Sequence, residues 1–373
     1  MEAARPLLKT EWIDPVTRTK GYLVIDKLVG NLCAGGIRMR KGLSETEVIR
    51  LAQTMSFKLS TLGMACGGSK AGIDYDPNFP DALDVLRRFL EAHRPFLRDY
   101  WATSEDLGTK AEDISKIAQE MGLESSFVAA VSKTKSPEAT QTKVLKVYSL
   151  MIDGMPVGDV ATGYGVAVSV QTACAVLGLN IRMKAAVQGF GSVGASAAMY
   201  LDRMGCQIVA VADAEGTVYK ESGLDIGKLL SSRSKLGIID RSKLENDHEL
   251  LPREEWLGFN VDVLVPAAVA DTIHTENVNR IKAKLIVEGA NIPTTAAAEA
   301  ELTRNGVYII PDFVANAGGV GLLGVILDPA VEPTEQGIFA YLAGKIGTKT
   351  GTLLQEAIAG GQSVREIALK SQP

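Results

Sequence analysis

Ala185-Ala186-Val187-Gln188-Gly189-Phe190-Gly191-Ser192-Val193-Gly194 carries the strongest local pattern in the chain. Ala185-Ala186-Val187 reads as a short strand, and the glycine turn that follows opens a helix over residues 195–204. A second strand, Ile208-Val209-Ala210-Val211-Ala212, ends on Asp213, 24 residues past Gly189. A bare Gly-x-Gly-x-x-Gly says little, but strand, turn, helix, strand and acid in this order form a dinucleotide-binding fingerprint. The glycines allow a tight turn and close approach of a pyrophosphate, the helix N-terminus faces its charge, and the acid meets ribose hydroxyls.

Working outward, further strands are expected at residues 261–265, 285–287 and 307–310. They end in Pro266-Ala267, Glu288-Gly289-Ala290-Asn291 and Pro311-Asp312-Phe313, the end of a doubly wound sheet where ligands bind. Upstream, Ala161-Thr162-Gly163-Tyr164-Gly165 opens an alanine-rich helix to residue 177. Residues 335–360 read as helix with an apolar face, expected to pack back on the first domain.

The N-terminal half reads differently. A strand is expected within residues 21–29, followed by a loop ending in Cys33-Ala34-Gly35-Gly36-Ile37-Arg38-Met39, where paired glycines let a ligand or another backbone come close. Ser44-Glu45-Thr46-Glu47 is a capping box, and Val48, Leu51, Met55, Leu59 and Leu62 recur at helical spacing as one buried stripe. Lys58 lies at the edge of that stripe, as a snorkelling stem or as an ammonium aimed into a cleft. Lys70 falls in Gly67-Gly68-Ser69-Lys70-Ala71-Gly72, which reads as a glycine-rich turn. In apolar surroundings such a lysine loses its charge easily. A helix over 82–92 comes next, then Glu105 and Asp106, one of which is placed to cap a helix over 111–121. Residues 122–158 carry no readable motif.

Composition bounds the function. At 373 residues, 46% hydrophobic and 22% charged, the chain fits two globular domains. A net charge of -5 and the lack of a long basic run disfavour nucleic acid as a partner. Residues 1–6 lack the apolar core of a signal peptide, and the longest apolar run, 317–327, is well short of the roughly 18 residues of a membrane span. Four scattered cysteines (Cys33, Cys66, Cys174, Cys206) and three scattered histidines point away from a zinc site or a disulfide framework and towards a reducing cytoplasm.

Seven stretches in order make the chain resemble the glutamate/leucine/phenylalanine/valine dehydrogenase family over nearly its whole length. They are Gly35-Gly36-Ile37-Arg38-Met39, the pair Lys58 and Lys70, Ser104-Glu105-Asp106-Leu107-Gly108-Thr109, Ala161-Thr162-Gly163-Tyr164-Gly165, the glycine fingerprint, Glu288-Gly289-Ala290-Asn291-Ile292-Pro293-Thr294-Thr295, and Ala315-Asn316-Ala317-Gly318-Gly319. The resemblance implies an α/β fold of two domains: a substrate-binding and oligomerisation domain at 1–157, a Rossmann-type NAD(P)-binding domain at 158–328, and a helical segment at 329–373 returning to the first. It implies reversible oxidative deamination of an L-amino acid to a 2-oxo acid and ammonia, in a symmetric homo-oligomer, hexamer or octamer.

By the same resemblance Lys58 holds the substrate α-carboxylate. Lys70, with lowered pKa, activates the attacking water, and Asp106 shuttles protons. Ala34, Gly35, Gly36, Met39, Asn316 and Leu323 fall at substrate-binding positions. Thr162, Gly189, Phe190, Gly191, Ser192, Val193, Gly194, Asp213, Ala267 and Asn291 fall at cofactor positions, and no metal is implied. Glutamate-specific members have a lysine where this chain has Ala34 and a serine soon after Asn-Ala-Gly-Gly, where it reads Val320-Gly321-Leu322-Leu323. A buried substrate carboxylate without partners costs several kcal/mol, so a neutral side chain is expected. Glutamate is the alternative, with Arg38, Arg40 or Lys41 as the charge. Asp213 and Glu215 repel a 2'-phosphate and favour NAD, while Lys220 opposes this and leaves NADP open. A non-catalytic nucleotide sensor and a reductase using another amine are the rival readings.

Overall fold

The computed structural model describes residues 5–179 and 183–371. The chain divides into two units: residues up to Val147 with Ile326–Ala330, and Tyr148–Val325 with residues from Val331 onward.

The first unit holds β1 (Leu8–Ile13), β2 (Lys20–Ile25), β3 (Cys33–Ala34), β4 (Ile37–Met39), β5 (Gly67–Ile73) and β6 (Trp101–Ala102) in one sheet. Its order is β1-β2-β5-β3-β6, with β4 also on β5. The helices are α1 (Glu45–Thr61), α2 (Ala82–Ala92), α3 (Arg94–Asp99), α4 (Ala111–Glu120), α5 (Val128–Val131) and α6 (Pro137–Ser149). Leu23, Ile25, Ile73, Phe89, Leu90 and Trp101 are among the side chains that fill the core between sheet and helices.

The lysine-bearing segment is a central strand, not a turn. All seven residues of β5 are buried, pairing antiparallel with β2 and parallel with β3 and β4. Its glycines serve neighbours distant in sequence. A Cβ at Gly67 would lie 1.9 Å from the Lys27 carbonyl oxygen, at Gly68 2.1 Å from Ser56 N, and at Gly72 2.3 Å from Leu43 Cδ2. The Gly68 contact also turns α1. Its buried face runs through Val48, Ala52, Ser56 and Leu59, and the expected Leu51 and Met55 are only half-buried, because small residues let the helix lie against the strand. Ser44 caps α1 as expected, accepting from Glu47 N at 3.3 Å.

The second unit opens with the hairpin β7 (Met151–Ile152) and β8 (Met155–Pro156), followed by α7 (Val157–Leu177). Then come β9 (Lys184–Gln188), α8 (Ser192–Arg203), β10 (Gln207–Ala212), β11 (Thr217–Tyr219), α9 (Ile226–Ser232), β12 (Glu249–Leu251), β13 (Val263–Pro266), β14 (Leu285–Val287), α10 (Ala296–Arg304), β15 (Tyr308–Ile310), α11 (Asp312–Ala315) and α12 (Gly318–Leu327). Its seven-stranded sheet runs β12-β11-β10-β9-β13-β14-β15, parallel from β10 to β15 with β11 and β12 antiparallel at one edge. By length and composition α7 could cross a membrane. Here it is a core helix: Gly163 and Gly318 admit α8 and the start of α12, since a Cβ at Gly163 would meet Ser196 Oγ at 2.1 Å and one at Gly318 the Ala161 oxygen at 1.9 Å.

The C-terminal segment departs from expectation. Helices α13 (Glu335–Leu342), α14 (Thr348–Gly360) and α15 (Val364–Lys370) pack on α7 and β15, and residues from Val331 group with the second unit rather than returning to the first. Their apolar residues Ile338, Leu342, Leu353 and Leu354 are buried there, so that unit supplies the cover they need.

Candidate active site

In the first unit, Lys70 on β5 and Asp106 after β6 come together. Lys70 Nζ lies 2.9 Å from Asp106 Oδ1, and Arg38 Nε on β4 lies 2.5 Å from Oδ2. Burial works to raise the Asp106 pKa, but Lys70 and Arg38 outweigh it and hold the carboxyl well below the usual range. Asp106 therefore does not cap the following helix. That helix begins at Ala111 after Lys110 with no side-chain cap, and Thr109 instead accepts from Asp106 N at 3.1 Å and donates to the Ile37 carbonyl at 2.7 Å.

Gly35 and Gly36 make this meeting possible. A Cβ on Gly35 would lie 1.7 Å from the Ser69 carbonyl oxygen, and one on Gly36 2.4 Å from that of Glu105. What these glycines admit is backbone: they bring the Lys70 strand and the Asp106 loop onto the same strand pair. Met39, expected at a substrate position, is 2% exposed within the core. Ala34 is buried on β3, and Lys58 is buried in the last turn of α1, which packs on β5.

The cations named as rival carboxylate readers are engaged. Arg38 pairs with Glu47 at 3.1 Å as well as with Asp106, Arg40 pairs with Glu47 at 2.5 Å, and Lys41 lies 3.9 Å from Asp74. Glu47 was read as half of a capping box. The structure turns its carboxylate to the two arginines.

In the second unit the expected dinucleotide residues gather at the carboxyl ends of β9, β13 and β14. Gly189 has φ +92 and sits against the Ala267 carbonyl, while a Cβ on Gly289 would meet Ala267 Cβ at 2.8 Å. Gly191 and Ser192 are exposed at the start of α8, and a Cβ on Gly191 would meet nothing within 4 Å. Gly194 packs on Gly189, whereas Phe190 is a core side chain at 1% exposure. Thr162 lies on α7 beside Gly319, and Leu323 is buried on α12.

These residues fit a dinucleotide. The open glycine at a helix start suits a pyrophosphate. At the other end of the crevice, Asn316 Nδ2 donates to the Gly289 carbonyl and to Asn291 Oδ1, both at 3.1 Å. Asn316 Oδ1 is buried without a protein partner among the described residues, an acceptor waiting for a donor such as a carboxamide.

Asp213 follows β10, inside a cluster of protein donors. Its carboxylate accepts from Ile239 N and Glu215 N, both at 2.8 Å, and from two nitrogens of Arg241. Four protein donors thus meet the Asp213 carboxylate, the acid expected to face ribose hydroxyls. No local pattern marks Arg241, which follows Asp213 by 28 residues and opens a single 3-10 turn. The same segment crosses the glycine turn: Arg233 donates to the Phe190 carbonyl at 3.2 Å, and Gly237 lies against Gly191.

Comparison with known proteins places these features. The model for the Glu/Leu/Phe/Val dehydrogenase dimerisation domain matches residues 13–123, and that for Glutamate/Leucine/Phenylalanine/Valine dehydrogenase matches 154–325. The chain is 37% identical to the glutamate dehydrogenase of Aeropyrum pernix, across 77% of this chain and 66% of the relative. It is 33% identical to that of Thermotoga maritima, across 80% and 70%. The chain thus spans about two thirds of these relatives' length. Further relatives at 32% and 31% identity bear NADP-dependent and NAD-specific names. The hetero-hexameric glutamate dehydrogenase of Thermus thermophilus, in its Leu-bound form, superposes with a TM-score of 0.78 at 26% identity, covering 98% of this chain and 86% of that one.

Proposed function

The chain belongs to the glutamate/leucine/phenylalanine/valine dehydrogenase family, and on that premise we propose that it is an NAD(P)-dependent amino-acid dehydrogenase acting on a substrate with a neutral side chain. The observation that carries the reading is the contact of Lys70 Nζ with Asp106 Oδ1 at 2.9 Å, two ionisable groups in hydrogen-bond reach on a buried strand and its neighbouring loop. The dinucleotide, when bound, supplies hydride transfer. Lys58 binds the substrate α-carboxylate, Lys70 holds and polarises the water that adds to the imine carbon, and Asp106 takes and returns the proton. Asn316 and Asn291 orient the carboxamide end of the cofactor.

The neutral side chain rests on Ala34, on Leu323, and on the carboxylate partners that already engage Arg38 and Arg40. Glutamate is the second reading, favoured by the names of the relatives. A homo-oligomer built through the first unit belongs to the same proposal, supported by the dimerisation-domain match and measurable by light scattering. The deciding assay is oxidation of NADH and NADPH with ammonia against 2-oxoglutarate, 4-methyl-2-oxopentanoate, 3-methyl-2-oxobutanoate, phenylpyruvate and pyruvate. An apolar oxo acid preferred by about tenfold, roughly 1.4 kcal/mol, supports a neutral pocket. Preference for 2-oxoglutarate overturns it, and turnover only with an alkylamine in place of ammonia moves the reaction class.

A further inference from the structure

Four elements of the second unit converge on one guanidinium. Arg365, on α15, donates to Glu288 Oε2 at 2.5 Å, Glu299 Oε2 at 2.7 Å and Asp312 Oδ1 at 3.1 Å. These carboxylates come from the end of β14, from α10 and from the start of α11. All three are almost wholly buried, at 0%, 8% and 2% side-chain exposure, so one cation faces three acids with little water to screen them.

Two of the acids are built into the backbone around Asn291. Asp312 Oδ2 accepts from Ile292 N at 3.0 Å, and Glu288 Oε2 accepts from Asp312 N at 2.9 Å. Ile292 has φ +50, a left-handed conformation that a β-branched residue adopts only under constraint. The hydrogen bond that Ile292 N donates to Asp312 supplies that constraint, and Arg365 holds Asp312. Asn316 closes the loop from its other side through the Gly289 carbonyl and Asn291 Oδ1.

We propose that Arg365 is a positioning residue for the cofactor: by gathering Glu288 and Asp312 it fixes residues 289–292, and so the nicotinamide half of the dinucleotide site, to the docked helix α15. The inference rests on the dinucleotide reading given above. The donors of Arg365 are spent on Glu288, Glu299 and Asp312, so its part is indirect. It acts through Asp312 on Ile292, and through Glu288 on the residues that follow it. Removing the cation leaves three buried acids without a counter-charge and releases the strained loop, while the glycine turn at Gly189 and Gly191, built on β9 and α8, keeps its own contacts.

The test measures binding, not turnover, on the full chain. NADH and 5'-AMP are titrated separately by calorimetry against wild type, Arg365→Met, Arg365→Lys and the double variant Arg365→Met/Glu288→Gln. Arg365→Met is expected to raise the Kd for NADH about tenfold or more while that for 5'-AMP stays within about twofold, as for a misplaced binding group. The double variant, with one of the three acids neutralised, recovers part of the loss. Should Arg365→Met fail to fold, Arg365→Lys, which keeps the charge and loses the fork, carries the same split in weaker form. Equal weakening of both ligands, or no change in either, overturns the positioning role. Wild type binding neither ligand overturns the dinucleotide reading itself.

Discussion

Lys70 and Asp106 face each other at 2.9 Å because Gly35 and Gly36 have no side chains to hold their backbones apart. The pair is thus made by packing far from either residue in sequence. Lys70→Ala removes the ammonium while leaving the cofactor elements of the second unit untouched. Turnover is expected to fall by at least the ~10²–10⁴-fold typical of losing an acid–base group, with NADH affinity unchanged. Retention of more than about a tenth of kcat would be too small a loss for a group in that role; calorimetry alongside steady-state kinetics checks both halves.

Arg38 gives the same site its pH signature. The guanidinium contacts Asp106 Oδ2, and together with Lys70 it depresses the carboxyl pKa against the opposing pull of burial. Removing one cation therefore raises that pKa. For Arg38→Gln the acid limb of the kcat/KM profile should move to higher pH, because protonation of Asp106 now begins sooner as pH falls. The folding contribution has the same sign: a depressed carboxyl stabilises the fold above its ordinary pKa and loses that contribution as pH falls below it. An unmoved acid limb would show that Asp106 is not the group that limits activity at low pH.

Gly68→Ala tests the strand. A Cβ there would lie 2.1 Å from Ser56 N and 2.6 Å from the Ala52 carbonyl oxygen, both backbone atoms that cannot swing aside. Overpacking costs about 1–3 kcal/mol where side chains can yield; here α1 must separate from β5, so the loss should reach the upper end of that range or exceed it. A urea midpoint within error of wild type would mean the helix packs less closely than described.

The same glycine shows where sequence reading stops. The turn at Gly189, Gly191 and Gly194 was legible because its meaning is local: a strand before, a helix after, and neighbours within a few residues. Gly67, Gly68 and Gly72 look alike in sequence, yet they admit Lys27, Ser56 and Leu43, so a run that reads as a turn is a fully buried strand. Asp213 stands at the end of its strand as expected, and nothing in the sequence marks Arg241 as a group that meets its carboxylate. Arg365 is an extreme case: its three carboxylates come from three separate elements, and no spacing rule joins them.

The proposed neutral-substrate reading places substrate choice at Ala34. It is buried on β3 beside the strand that carries Lys70, with its carbonyl and amide in the sheet and only a methyl to offer. Ala34→Lys is expected to raise activity on 2-oxoglutarate relative to 4-methyl-2-oxopentanoate by about tenfold, the effect of roughly 1.4 kcal/mol of charge pairing. No change in that ratio would mean that the side-chain pocket lies elsewhere, and a gain for both substrates would point to a general effect on the site.

The Arg241 contact with Asp213 makes a prediction for cofactor choice. The Asp213 charge is paired with the guanidinium and its carboxylate is met by protein donors. Glu215, more than half exposed and 4.0 Å from Arg241, is the remaining acid at that corner. Arg241→Gln uncovers the Asp213 charge beside Glu215, and two uncompensated carboxylates disfavour a phosphate dianion more than a ribose hydroxyl. The ratio of kcat/KM for NADH over NADPH should rise about tenfold, roughly 1.4 kcal/mol. The ratio of affinities for 5'-AMP over 2',5'-ADP should move in parallel, because those ligands contain only the adenosine end. If Asp213 instead read the ribose directly despite its four donors, Asp213→Asn would weaken NADH far more than NADPH. A carboxylate engaged by protein donors predicts that Asp213→Asn loosens residues 239–241 and weakens both alike, so comparing the two variants decides which residue sets the preference.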